Sequence, residues 1–140
     1  IGEAIAESLL VMSQLTVPFI AIFIGEGGSG GALALAMGNE VWMLENTMYS
    51  VLSPEGFASI LWKDSSRSDE AAKVMKLTPD DLFSLDVIDK IIMETRRKVA
   101  RKSDDVMLEL KQELSAKLKE LKQLTPAELV EQRQKRFRNY

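Results

Sequence analysis

A chain of 140 residues that is 46% apolar and 28% charged is long enough to bury one core, which excludes fibrous and disordered classes. With no cysteine and no histidine, it has no disulfide framework, no thiolate nucleophile, none of the usual zinc or copper ligands, and no imidazole base for a Ser-His-Asp hydrolase. The formal net charge of −3 joins two unlike parts: residues 1–95 hold 5 basic and 14 acidic residues, residues 96–140 hold 13 and 7, so a basic C-terminal third follows an acidic body.

Taken in chain order, Ile1, Ile5, Leu9 and Met12 recur at helical spacing and predict an amphipathic helix over the first 15 residues. It has no capping residue ahead of it, which predicts the later part of a longer chain. Glu3 and Glu7 precede the apolar stretch, the wrong order for a secretory signal. The longest apolar run, residues 17–24, contains Pro18 and falls far short of the ~20 residues of a membrane-spanning helix. Its β-branched and aromatic FIAIFI reads as a strand packed on both faces. GEGGSGG at 25–31 holds five of the chain's eight glycines and leads into ALALAM, a short helix stopped by Gly38 and Asn39. Residues 41–44 and 48–52 predict two more strands. Ser53-Pro54-Glu55 opens a helix as cap, first-position proline and first-turn acid. A polar break at 65–69, a short helix over EAAKVMKL, another begun by Thr78-Pro79, and a last strand within 87–92 follow. Residues 94–103 read as a linker. Beyond them, Val106, Leu110, Leu114, Leu118, Leu121 and Leu124 mark the apolar stripe of a long helix, and Thr125-Pro126-Ala127-Glu128 is a capping box opening a final basic helix. No internal repeat is visible.

The glycine segment carries the chemistry, because glycines between a strand and a helix admit close backbone approach and leave N–H groups unshielded at a helix N-terminus. The same seven residues satisfy three templates. Gly25, Gly27 and Gly30 match the dinucleotide fingerprint, with Glu45 about 20 residues on as the ribose acid. Gly27, Ser29 and Gly31 match the nucleophile elbow, for which this chain has no histidine to activate Ser29. An oxyanion hole made of successive backbone amides needs no titratable side chain. A fourth reading is a tight packing turn. The basic C-terminal third offers a separate reading, an anionic partner or nucleic acid, without the aromatic interleaving of a nucleic-acid module. Arg96, Arg97, Lys98, Arg101 and Lys102 would meet phosphates or an acidic partner, or form a solvated connector. Trp42, Phe57 and Trp62 read as core or subunit contacts.

A longer stretch separates these readings. IGEGGSGGALA, then MYSV, then SPEGFASILWK, at their intervals, resemble the carboxyltransferase α subunits of acetyl-CoA carboxylases, within the crotonase superfamily. EAIAESLLVMSQLTVP upstream and KVMKLTPDDLFSLDVIDKII downstream are similar as well, so the resemblance covers residues 1–92 and continues more weakly to RQKRFRNY. Two departures stand out. After residue 92 the family has a proline- and glycine-rich segment with a histidine, where this chain reads METRRKVARKSDD. The family subunit also extends upstream to another glycine-containing substrate loop.

The resemblance implies an α/β, crotonase-like spiral of β-β-α units. Residues 1–95 would be the C-terminal part of the carboxyltransferase core, and residues 96–140 a helical, basic extension. It implies transfer of a carboxyl group from carboxybiotin, borne on a separate biotin carboxyl carrier protein, to acetyl-CoA to give malonyl-CoA for fatty acid synthesis, with no biotin attached to this chain. The expected partner is a β subunit in an α2β2 assembly, in the bacterial cytoplasm or a plastid stroma, with no membrane or nucleic acid. By this resemblance the backbone N–H groups of Gly30 and Gly31 hold the ureido oxygen as negative charge develops on it, while Gly27, Gly28 and Ser29 shape the substrate loop.

Overall fold

The computed structural model describes residues 2–139, so Ile1, counted in the first apolar stripe, lies outside the described residues. Helix α1 (Gly2–Gln14) presents half-buried Ile5, Leu9 and Met12 to the body, as the spacing predicts. Two β-β-α units follow. The first is β1 (Ile20–Phe23), β2 (Glu26–Gly28) and α2 (Ser29–Leu35); the second is β3 (Glu40–Leu44), β4 (Met48–Ser50) and α3 (Pro54–Trp62). Strand β1 pairs in parallel with β3, placing Ile20 opposite Glu40, an offset of 20 residues. Strand β2 pairs in parallel with β4, placing Glu26 opposite Met48, an offset of 22. Each unit thus lays one strand in a main sheet and one in a minor sheet before its helix returns, and the units stack as successive turns of a spiral. The repeat missing from the sequence is present in the backbone.

After α3 come a short 3-10 turn (Ser65–Arg67), α4 (Ser68–Val74), α5 (Pro79–Ser84) and β5 (Lys90–Ile92), which completes a main sheet ordered β1-β3-β5. The starts of these helices follow from capping chemistry: Ser53 Oγ accepts from Gly56 N at 3.1 Å, Thr78 Oγ1 from Asp81 N at 3.3 Å, and Asp64 from Ser66 N at 3.0 Å. The last predicted strand is shortened, since Asp89 N donates to Val41 O at 2.8 Å just ahead of it.

The strand period of two divides the core. Ile20 and Ile22 pack with buried Trp42, Leu44 and Ile92 on one face of the main sheet, and Ala21 and Phe23 with Val41, Met43 and Tyr49 on the other. Strand β1 is therefore packed on two faces, as its sequence predicts, yet each of its residues stays half-buried because β1 is an edge strand. Gly38 does more than stop α2: a Cβ there would lie 2.6 Å from Glu40 O and 3.1 Å from Ala21 N, so the chain crosses between β1 and β3 where no side chain fits.

The stretch read as a linker is a hairpin, β6 (Thr95–Arg96) paired with β7 (Val99–Ala100). Its turn residues, Arg97 and Lys98, have φ of 52° and 66°. Two left-handed residues make the turn that matches strand twist, normally built from Asn-Gly. Arg-Lys gives no such signal, so the hairpin is illegible in the sequence. Helix α6 (Ser103–Leu121) then lays Val106, Leu110 and Leu114 over Trp42, Leu44 and Ile92. Helix α7 (Pro126–Arg138) opens with the predicted capping box. Among the described residues no helix is long and apolar enough to cross a membrane.

Two arginines of the basic C-terminal part turn inward. Arg133, 1% exposed, donates to Val17 O at 3.3 Å and Asn39 Oδ1 at 2.7 Å and lies over the Phe19 ring. Arg136 pairs with Asp89 and donates to Val87 O at 2.6 Å. Lys117 pairs with Glu40 and Glu120. These cations hold α6 and α7 on the sheet and are withdrawn from any nucleic-acid surface.

Candidate functional site

The glycine segment is not one loop. Residues 26–28 are extended and paired with β4, and the helix begins at Ser29, so Gly30 and Gly31 lie in its first turn. First-turn N–H groups have no carbonyl within their own helix, and Gly28, which precedes the helix, supplies no capping side chain. These donors face the N-terminal end of α2, where the helix dipole adds positive potential. Ser29 makes the turn from strand to helix with φ of 65°, a strained conformation for a non-glycine residue.

This turn opens on a cleft of about 680 Å³, walled on one side by Glu26, Gly27, Gly28 and Ser29 and on the other by Met48 and residues 50–55. Glycine is required at Gly27, where a Cβ would fall 2.1 Å from the Phe23 ring, itself stacked on Tyr49 at 4.4 Å between centroids. The cleft therefore joins the three segments that carry the resemblance, GEGGSGG, MYSV and SPEG. The Ser50 hydroxyl bonds the Leu52 carbonyl, shaping the far wall. Met48, Val51 and Leu52 were not singled out from the sequence as site residues; the signal that places them is the parallel pairing of β4 with β2. Gly30 and Gly31 stand behind the wall, not in it: a Cβ on Gly30 would meet Ile5 of α1 at 3.1 Å, and one on Gly31 meets nothing within 4 Å. Gly31 lines a shallow pocket against Ile5 and Ser8 of α1 instead.

The rival templates fail on geometry. Glu45, the ribose acid of the dinucleotide fingerprint on Gly25, Gly27 and Gly30, is already engaged: its Oε2 accepts from Glu94 N at 2.7 Å and Thr95 N at 2.6 Å, and its Oε1 from Thr95 Oγ1 at 2.7 Å. A strand also interrupts the segment where the fingerprint needs a continuous turn. Ser29 does adopt the strained turn of a nucleophile elbow, but its hydroxyl bonds no acid or base among the described residues, and the chain has no histidine.

Glu45 instead anchors the basic hairpin, with help from Glu94, whose carboxylate accepts from Asn46 N at 2.9 Å and Asn46 Nδ2 at 3.0 Å. The Thr95 hydroxyl, then the Thr95 and Glu94 amides, hold the Glu45 carboxyl below its ordinary value of 4.5. A lowered carboxyl stabilises at pH values above its ordinary range and loses that contribution as pH falls through the lowered value. The hairpin anchor is therefore intact at neutral pH and weakens as pH falls through that lowered value. In hydrogen exchange read by NMR, Glu45→Gln is expected to speed exchange of the Glu94 and Thr95 amides at pH 7 and to leave β3 amides protected.

Comparisons with known proteins bear on the family and the fold. The family model described as acetyl co-enzyme A carboxylase carboxyltransferase-like matches residues 1–140. Acetyl-coenzyme A carboxylase carboxyl transferase subunits α of Streptococcus gordonii and Streptococcus pneumoniae are each 56% identical over 139 residues, 99% of this chain and 53% of theirs. The chain thus spans about half the length of these curated relatives. Among solved structures, a Pseudomonas malonate decarboxylase hetero-tetramer in complex with coenzyme A superposes with a TM-score of 0.70 at 21% identity, over 86% of this chain and 49% of that one. The transcarboxylase 12S core superposes with a TM-score of 0.56 at 20% identity, over 64% and 19%. The fold is the crotonase-like spiral that the resemblance implied, and the chain belongs to the acetyl-coenzyme A carboxylase carboxyltransferase family.

Proposed function

We propose that this chain forms the part of a carboxyltransferase α subunit that receives carboxybiotin from a separate carrier protein, in the transfer that converts acetyl-CoA to malonyl-CoA for fatty acid synthesis. The observation that carries the reading is the uncapped first turn of α2 at the end of a cleft built from all three matching segments. The fit is chemical as well as spatial. A neutral bicyclic urea needs donors for one oxygen and space for its rings; the cleft has about 680 Å³, and the uncapped first turn of α2 begins at Ser29 on its wall.

Biotin, when bound, supplies the carboxyl group to be transferred. The amides of Gly30 and Gly31 hold the ureido oxygen, and because they are fixed by the helix they stabilise negative charge without reorganising. Gly27 and Gly28 keep the cleft wall free of side chains, and Ser29 sets the turn. Residues 50–55 limit water on the opposite side. A β subunit supplies the thioester-facing half in an α2β2 assembly in the bacterial cytoplasm or a plastid stroma. Residues 1–95 carry the chemistry, and residues 96–140 are the helical extension that covers the sheet.

The test is reverse transfer, malonyl-CoA plus free biotin, with an upstream-extended chain, a β subunit, and both. Turnover that needs both chains supports the reading; turnover by the β subunit alone at the same rate overturns it. Ser29→Ala is expected to retain turnover within about threefold, since no step uses the hydroxyl. A loss comparable to removing a triad nucleophile, about 10⁶-fold, would restore the elbow reading.

A further inference from the structure

The proposal above leaves unused the most concentrated positive charge on the molecule, the hairpin tip. Arg96, Arg97, Lys98 and Lys102 are all exposed, and none forms an ion pair among the described residues, whereas Arg101 at the base is held by Glu109 at 2.6 Å and by Met93 O at 2.8 Å. The base is fixed further by the Glu45 and Glu94 bonds, so the tip projects from a rigid support. Arg97 and Lys98 occupy left-handed positions at which Asn-Gly is unstrained.

Position gives that charge a direction. The glycine segment leaves the carboxyl end of β1 and the hairpin leaves the carboxyl end of β5. In a parallel sheet ordered β1-β3-β5, these are the same rim, two strands apart, or about 10 Å by strand spacing. Arg96, Arg97 and Lys98 follow one another from the first strand of the hairpin through its turn. They are strung along a ribbon with exposed Met93 and Val99 among them, the Arg, Met and apolar mixture of a protein interface. We infer that the 95–100 hairpin is a docking site for an acidic protein surface, that of the carrier which brings biotin to the glycine cleft, an inference that rests on the function proposed above. Electrostatic steering by the hairpin raises the rate of encounter and orients the carrier's arm toward the rim.

The test uses an upstream-extended chain assembled with its β subunit and two variants, the double substitution Arg97→Asn with Lys98→Gly, which removes charge while relieving the turn, and Arg96→Glu. Reverse transfer is measured with free biotin and with the biotinylated carrier domain as acceptors, and binding of the biotin-free carrier domain is measured by calorimetry at low and high salt. Docking predicts a KM for the carrier raised tenfold or more, unchanged kinetics with free biotin, and calorimetric affinity that falls in the variants and becomes salt-insensitive. Unchanged carrier KM and affinity overturn the inference. A raised KM for malonyl-CoA with both acceptors also overturns it, assigning the hairpin to nucleotide phosphates instead. Absence of turnover in the unsubstituted assembly is a failure of the proposed function, and calorimetry then still decides whether the hairpin binds the acidic domain.

Discussion

Gly31→Pro is expected to lower reverse carboxyl transfer by about 10²–10³-fold, the cost of one lost oxyanion donor, or roughly 2.7–4 kcal/mol of transition-state stabilisation. The substitution deletes one N–H; Gly30, the residue before the new proline, has no Cβ to clash with its ring. Gly31 lies in the first turn of α2, where that N–H has no partner within the helix, and a Cβ added there meets nothing within 4 Å. Gly31→Ala is the paired control: it adds the same Cβ, keeps the N–H, and is expected to turn over within about twofold of the original. Equal loss in both variants would assign the effect to bulk and remove the amide from the mechanism. Gly30 is a poorer probe, because any side chain there presses on Ile5 of α1.

The second large effect concerns stability. Asn39 gathers four partners: its Oδ1 accepts from Phe19 N at 3.3 Å and Arg133 Nη1 at 2.7 Å, and its Nδ2 donates to Leu129 O at 3.1 Å and Gln132 Oε1 at 2.7 Å. Asn39→Ala strands them, Arg133 most of all. That guanidinium is buried, its Nε and Nη2 have no hydrogen-bond partner among the described residues, and burial pulls its pKa below the ordinary value. A loss of about 3 kcal/mol is expected, since bonds to charged groups are worth ~1.5–3 kcal/mol and a stranded buried polar group costs ~1–3. Arg133→Met behaves oppositely. It removes the desolvated charge, keeps most of the volume over Phe19, and is expected to fall within about 1 kcal/mol of the original or above it. Urea midpoints at pH 7 distinguish the two. If Arg133→Met costs as much as Asn39→Ala, the buried charge stabilises the fold and the argument from desolvation fails.

These sites show where sequence reading succeeds and where it stops. Helix starts are legible because a cap is a local event: Ser53, Thr78 and Thr125 each bond an amide three residues on, and each is followed by proline. The glycine segment is legible as a strand-to-helix turn, and the structure adds a packing reason for Gly27, whose Cβ would meet the Phe23 ring. The spiral is not legible as a repeat, since its two units share a path and not residues: IAIF matches EVWM, and EGG matches MYS. Nor is the clamp of Asn39 by Arg133, whose partners lie 94 residues apart and carry no periodic signal. The hairpin is hidden by its own turn. Where Asn-Gly would announce it, Arg-Lys reads as solvated charge.

The two register offsets, 20 residues in the main sheet and 22 in the minor sheet, separate what the spiral repeats from what it adds. The surplus falls at the corner between β3 and β4, and that corner contains Glu45 and Asn46, the residues that grip the hairpin. The first unit has no such residues to spare between β1 and β2. The molecule thus acquires its attachment point by lengthening one bend, while every strand pairing on either side keeps its phase. Scaffold and appendage are consequently separable: the two surplus residues lie outside every strand pairing, so the registers that build the glycine cleft do not depend on them.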